Sequence, residues 1–235
     1  MSYLLHIDAS SFAAESISRQ IARSFLDGWS GTTIVYRDLA ATPVPHITAA
    51  GISARVTDRS EHTLEQAAAT AIQDELIDEF LGAGGYLFTV PLYNYGVPSS
   101  FKAWVDQIAV TGRTIHMPGG PLTQGRPAVV VSSRGGWYGE GSPHAGRDHL
   151  IGNLQEILGA DMGLDLDFVT SEFGLAEVIP VMAPFIEQHR ASRDAAHAEA
   201  RKRGETITLH EVTEVPAASD ARPAADFGVP GDADS

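Results

Sequence analysis

Apolar residues recur along this chain in two alternating rhythms, and the alternation predicts strands separated by helices. Tyr3–Ala9 is a short apolar run that breaks at Ser10-Ser11. Ile17, Ile21, Phe25 and Trp29 then recur at helical spacing until Gly28 and Gly31. Thr32–Leu39 is a β-branched run ended by Pro43 and Pro45, a second strand followed by a loop. From about Ile52 to Leu81 the pattern turns helical, with Leu76, Ile77 and Phe80 as its stripe, and Gly82, Gly84 and Gly85 predict its stop. Tyr86–Val90 is apolar on both faces, as an inner parallel strand must be. Pro98 suits the first turn of the next helix, whose Phe101, Val105 and Ile108 share one face. Ala128–Ser133 reads as a fourth strand, Leu150, Leu154, Ile157 and Leu158 as a helix ended by Gly159, and Leu164–Thr170 as a fifth strand. A last helix runs from about Pro184 to Arg203, with Gly204 placed to cap its C-terminus.

This order predicts a three-layer α/β domain over residues 1–204, a five-stranded parallel sheet with helices on both faces. Residues 205–235 form a separate acidic tail. Glu205–Val215 admits a short extra strand, and Pro216–Ser235, rich in Ala, Asp, Pro and Gly and without period, is expected to be disordered. The sequence shows no internal repeat.

Composition narrows the chemistry. The 235 residues contain no cysteine, which excludes disulfides, cysteine-ligated metals and a thiol nucleophile. The formal charge of −14 opposes the field a nucleic-acid binder uses, so no nucleic-acid partner is expected. Six carboxylates beyond His210 face a single Arg222, yet the body remains acidic without them. An anionic ligand must therefore be held by oriented amides and hydroxyls. No apolar run is long enough to span a bilayer and Asp8 interrupts the start, so no membrane association and a cytoplasmic location are expected. The nine histidines show no metal-ligand spacing, and no metal is expected.

In an open parallel sheet, ligands bind beyond the carboxyl ends of the strands, which directs attention to three segments. Ser10–Ser18 carries Ser10, Ser11, Ser16 and Ser18 ahead of a helix whose first amides suit a phosphate, although serine equally suits plain capping. It is neither a Walker loop nor a GxGxxG. Pro91–Pro98 places Tyr93, Asn94, Tyr95 and Gly96 at a strand end, where Gly96 permits close backbone approach and a planar ring would fit; the alternative is a turn whose tyrosines pack on neighbouring loops. Ser132–Gly141 offers Arg134, Gly135, Gly136, Trp137 and Tyr138, or simply a flexible loop. Together the three suggest a mononucleotide carrying a planar ring.

Ser10…Ser16-Ile17-Ser18, Pro91-Leu92-Tyr93-Asn94-Tyr95 followed by Pro98…Phe101-Lys-Ala-Trp-Val-Asp106, and Ser133-Arg134-Gly135-Gly136 resemble the motifs of the FMN-dependent azoreductase family. The resemblance covers about Met1–Arg203. It implies a flavodoxin-like homodimer with tightly bound FMN, reducing quinones and azo compounds with NADH or NADPH. It also implies that Ser10, Ser16, Ile17 and Ser18 hold the FMN phosphate, that Leu92, Tyr93, Asn94 and Tyr95 border the isoalloxazine, and that Ser133, Arg134, Gly135 and Gly136 contact its other edge. The chain departs from the family pattern at Ile17, at Tyr95 and at Thr114-Ile115-His116-Met117, positions that bear on the acceptor.

The expected mechanism is ping-pong, with the cofactor performing hydride chemistry and the protein supplying binding and electrostatics. His144 and Tyr138 are candidate proton donors to a reduced quinone, against the plainer reading of His144 as a solvent-exposed loop residue. Trp104 reads as core or dimer contact. A flavodoxin-like electron carrier serving a basic protein partner is the alternative function, and a phosphate-binding module with no redox role a third.

Overall fold

The computed structural model describes residues 2–12, 15–31 and 33–213. The elements are β1 (Tyr3–Asp8), α1 (Ile17–Gly28), β2 (Ile34–Asp38), α2 (Ala49–Ala54), α3 (Leu64–Gly82), β3 (Ala83–Thr89), α4 (Ser99–Ile108), β4 (Pro127–Ser133), α5 (His149–Leu154), β5 (Asp165–Ser171) and α6 (Ile186–Thr206). The five strands form one parallel sheet in the order β2-β1-β3-β4-β5. The expected sheet with helices on both faces is therefore what the chain builds.

The side-chain period of two divides the core. Leu5, Ile7, Tyr86, Phe88, Ala128 and Val130 point to one face, where they meet α3, α4 and α5 through Phe80, Trp104 and Leu154. Leu4, Leu87, Val129 and Val131 point to the other, against Ile21 and Phe25 of α1 and Ala196 and Ala200 of α6. Phe88 packs edge-on against Phe101, and Trp104 is fully buried in the first layer, so within this chain it is a core residue.

Several glycines act differently from what the pattern predicts. Gly204 does not cap α6, which continues to Thr206. A Cβ on Gly204 would lie 2.0 Å from the Phe25 carbonyl oxygen, and one on Gly28 2.3 Å from that of Arg201, so these glycines let α1 and α6 touch backbone to backbone. Gly84 and Gly85 lie inside β3 because Leu209 and His210 pass over them, the His210 N–H donating to the Gly84 carbonyl. Residues 207–213 therefore pack as a non-helical segment rather than a strand, and Pro216–Ser235 lies outside the described residues. The long helical stretch is split into α2 and α3, with Thr63 and Gln66 forming a capping box at the start of α3. Pro98 is the N-cap residue of α4 rather than a first-turn residue. α5 runs past Gly159 as a π-helical turn, Gln155–Asp161, and reverses at Gly163, whose φ of 75° is left-handed.

Candidate functional site

The loops after β1, β3 and β4 meet at the carboxyl edge of the sheet, each fixed by a different device. Ser16 is the N-cap of α1, its hydroxyl accepting the Arg19 N–H at 3.3 Å. The same oxygen lies 2.8 Å from the Ser10 hydroxyl and 3.0 Å from that of Ser18, so three buried hydroxyls cluster at the helix start. Among the described residues the first-turn amides of Ile17 and Ser18 donate to no acceptor. The loop is held from behind. Asp8 accepts the Ser10 N–H, while Arg19 donates to the Ser10 carbonyl and pairs with Asp38 and Asp8. Burial raises the Asp8 carboxyl above its usual range against the pull of Ser10 and Arg19. Asp38 is drawn below its usual range because hydrogen bonds from Arg19, Ala40 and Ala41 outweigh desolvation. With Arg19 so engaged, the cradle offers hydroxyls and amides rather than a free cation, the chemistry an acidic chain needs for a phosphate.

The second loop is a two-residue turn closed by reciprocal hydrogen bonds of 3.0 Å between Tyr93 and Gly96. Its central residues take the left-handed conformation, Asn94 at φ 47° and Tyr95 at φ 70°. For a bulky Tyr95 that costs about 1 kcal/mol or more of local strain. Gly96 is not among the left-handed residues, and the space where its Cβ would sit is open within 4 Å. The strained residue is held by its surroundings. Arg147 lies over the Tyr95 ring at 4.6 Å, Tyr138 meets it edge-on at 6.3 Å, and the Tyr95 carbonyl accepts the His149 N–H. The Tyr93 hydroxyl accepts the Ser11 N–H at 3.2 Å, joining this turn to the serine cradle. Leu92 sends its side chain into the core and its N–H to the Ser133 carbonyl, joining the turn to the third loop. The amides of Asn94 and Tyr95 have no acceptor among the described residues. A cavity of about 580 Å³ opens beside the turn, lined by Tyr93, Asn94, Gly96, Lys102 and His149.

In the third loop, the Arg134 side chain is committed within the chain. Its guanidinium is buried and grips one oxygen of Asp148 through Nε at 2.8 Å and Nη2 at 2.7 Å, with Glu172 at 3.6 Å. The other Asp148 oxygen accepts the Leu150 and Ile151 amides and caps α5. A guanidinium with so little water must keep its counter-ion, which leaves none of its charge for a ligand. Burial raises the Glu172 carboxyl, opposed by Arg134 and by a hydrogen bond from the Tyr138 N–H. This network aims the backbone. The carbonyls of Gly135 and Gly136 accept from Leu175 and Phe173, while their amides have no acceptor among the described residues. Tyr138 and His144 come together, rings stacked at 5.4 Å, and the His144 Nδ1 is enclosed without a partner. Burial, then the neighbouring Tyr95, raises the Tyr138 hydroxyl, which keeps its proton at neutral pH.

Sequence reasoning thus found the three loops but missed what aims them: Asp8, Arg19 and Asp38 behind the first, Asp148 and Glu172 behind the third. Of these only Asp148 carried a local signal, an N-cap residue just before the apolar run of α5. Among the described residues no group of three or more His, Asp or Glu side chains is placed to hold a metal ion, and no helix is long and apolar enough to cross a membrane.

Comparison with known proteins agrees with this fold. Residues 2–172 match the family model described as flavodoxin-like fold. The FMN-dependent NADH:quinone oxidoreductase of Streptomyces coelicolor is 42% identical over 213 residues, covering 88% of this chain and 96% of the relative. That of Frankia casuarinae is 43% identical over 208 residues, covering 86% and 99%. Among solved structures, an azoreductase from Bacillus anthracis superposes with a TM-score of 0.76 at 23% identity over 87% of this chain and 99% of that one. An FMN-dependent NADH-azoreductase from the same species, in complex with FMN, superposes with a TM-score of 0.73 at 22% identity, covering 87% and 98%.

Proposed function

The chain belongs to the family of flavodoxin-like fold, and from that premise we propose that it is an FMN-dependent oxidoreductase carrying two electrons as hydride from NAD(P)H to quinones and azo compounds. The observation that carries this reading is the junction of the three loops. The serine cradle is tied to the tyrosine turn through Ser11 and Tyr93, and the turn to the glycine loop through Leu92 and Ser133. At all three the unspent groups are amides and hydroxyls.

FMN, when bound, supplies the hydride acceptor and donor. Ser10, Ser16 and Ser18 with the amides of Ile17 and Ser18 hold its phosphate. The amides of Asn94 and Tyr95 and those of Gly135 and Gly136, which donate to no acceptor among the described residues, would favour negative charge on its ring without reorganisation. Arg134 positions the last two rather than touching the ring. Tyr138, protonated at neutral pH and stacked on His144, is the proton donor to a reduced acceptor. Donor and acceptor occupy the same space in turn, which makes the order ping-pong.

The chain acts as a homodimer. Leu175, Val178, Ile179, Val181 and Phe185 form an exposed apolar run beside the glycine loop, continued by Trp137 and Phe173 in a stacked series. A surface of that character beside a site suits a two-fold partner that walls the pocket. A cytoplasmic location suits a soluble dinucleotide donor.

Purified protein should show the two visible bands of flavin, and anaerobic mixing with NADH should bleach them. Steady NADH oxidation with menadione or methyl red, without a second protein, separates this enzyme from a one-electron carrier. Colourless protein that takes up no FMN refutes the reading, and a monomer in light scattering refutes the dimer.

A further inference from the structure

Away from the three loops, a cavity of about 390 Å³ opens at the β2 edge of the sheet, between α1 and the exposed Ile34 and Tyr36 of β2. Its floor is the His6 ring, which is 5% exposed and tilted against Tyr36 at a centroid distance of 4.9 Å. His6 Nε2 lies 2.9 Å from the Thr89 hydroxyl, while Nδ1 makes no hydrogen bond among the described residues. Burial, and then Arg19, lowers the imidazole pKa to about 4, so the ring is neutral at physiological pH and offers a lone pair or an N–H but no charge. The walls are Leu26, Ile34 and Tyr36, the last two 42% and 52% exposed although they are large apolar residues of an edge strand.

Two cations flank the opening. Arg19 is consumed by Asp38, Asp8 and the Ser10 carbonyl. Arg23, one turn further along α1 on the same face, is exposed and forms no ion pair among the described residues. The cavity therefore combines apolar walls, a buried neutral imidazole with an open nitrogen, the Asp8 carboxyl already engaged by Arg19 and Ser10, and one uncommitted guanidinium at the rim. A guanidinium fork recognises a carboxylate bidentately, and the apolar walls accept a ring. We propose that this cavity is a binding site for small planar aromatic carboxylates, the ring lying between Ile34 and Tyr36 above His6 and the carboxylate meeting Arg23. The site is separate from the redox site and does not depend on the redox reading. Asp8 and Arg19 lie between the two, so an occupant abuts the residues that hold Ser10.

The probe is benzoate, titrated into the full chain as purified and followed by calorimetry and by the imidazole resonances of His6. Saturation in the millimolar range with a shift of the His6 signals is expected. Arg23→Gln should weaken binding about fivefold or more, and Ile34→Glu, which puts a carboxylate into the cavity wall, should abolish it. Thermal melts show that the variants fold; should Ile34→Glu fail to fold, Arg23→Gln alone decides. No saturation, or the parental affinity in a folded variant, overturns the proposal. Binding at the redox site instead would leave both variants at the parental affinity and so counts against it.

Discussion

The grip of Asp148 on Arg134 supports the most direct quantitative test of how the site is built. The side chains are 1% and 12% exposed, so little water is available to either charge. Removing one partner of such a pair costs about 3–5 kcal/mol, because the other charge stays buried. Glu172, 3.6 Å from Arg134 Nε, remains as a partial counter-ion and places Asp148→Asn at the lower end, about 3 kcal/mol. Asparagine caps a helix as well as aspartate does, so this variant isolates the charge. Asp148→Ala loses the α5 cap as well and should cost about 1 kcal/mol more. In a chain of this size 3 kcal/mol lowers Tm by roughly 6–12 °C. Pairing Asp148→Asn with Arg134→Met removes both charges and should recover much of the loss. Urea unfolding of the flavin-free protein gives the energies, and FMN titration should show weaker binding because the Gly135 and Gly136 amides lose their aim. A cost below about 0.5 kcal/mol for Asp148→Asn, or strict additivity in the double variant, would refute the claim that this pair is a buried, coupled support.

Ser16→Ala should cost about 1 kcal/mol in flavin-free protein through the lost cap, and raise the FMN dissociation constant roughly tenfold through the lost hydroxyl; equal FMN affinity by fluorescence quenching counts against the phosphate cradle. Gly204→Ala should destabilise by about 2 kcal/mol despite alanine's better helix propensity, since its Cβ would sit 2.0 Å from the Phe25 oxygen. Gly152→Ala, with nothing within 4 Å, should stabilise by about 0.5–1 kcal/mol, and denaturant midpoints moving the same way in both would contradict that packing. His6, held neutral down to about pH 4 against an ordinary value of 6.5, contributes stability that is complete above pH 6.5 and lost as pH falls through 4, up to about 3 kcal/mol. Asp8 and Glu172, whose pKa values are raised, act in the opposite sense, so the measurement is the difference between parent and His6→Gln: its disappearance into a flat offset between pH 7 and 4 would disprove the burial of that ring.

How much of this was legible in the sequence follows from the range of the forces involved. The inner strands β1 and β3 were readable because Leu4, Leu5 and Ile7, or Leu87 and Phe88, face two different helix layers, and that doubles their apolar content within a few residues. The serine, tyrosine and glycine loops were readable because the alternation fixes which ends of the strands they follow. Glycines were misread where a local symbol had two physical meanings. Gly204 suited a helix stop by sequence, yet its missing Cβ serves α1, some 180 residues earlier in the chain. Gly96 drew attention to the turn, yet the left-handed residues are Asn94 and Tyr95, because closing hydrogen bonds and the Arg147 contact offset strain that no local propensity would choose. The supports of the site are the least local of all. Arg134 finds Asp148 on the next helix and Glu172 after the next strand only once the sheet has closed, and the sequence offers three ionisable residues with no mark that they meet. The groups proposed to face the ligand are short, polar and local because they act through backbone amides, whereas the groups that aim those amides are charged and distant. A reading of motifs therefore finds the first set and passes over the second, as with Arg134, whose side chain is committed to Asp148 and Glu172.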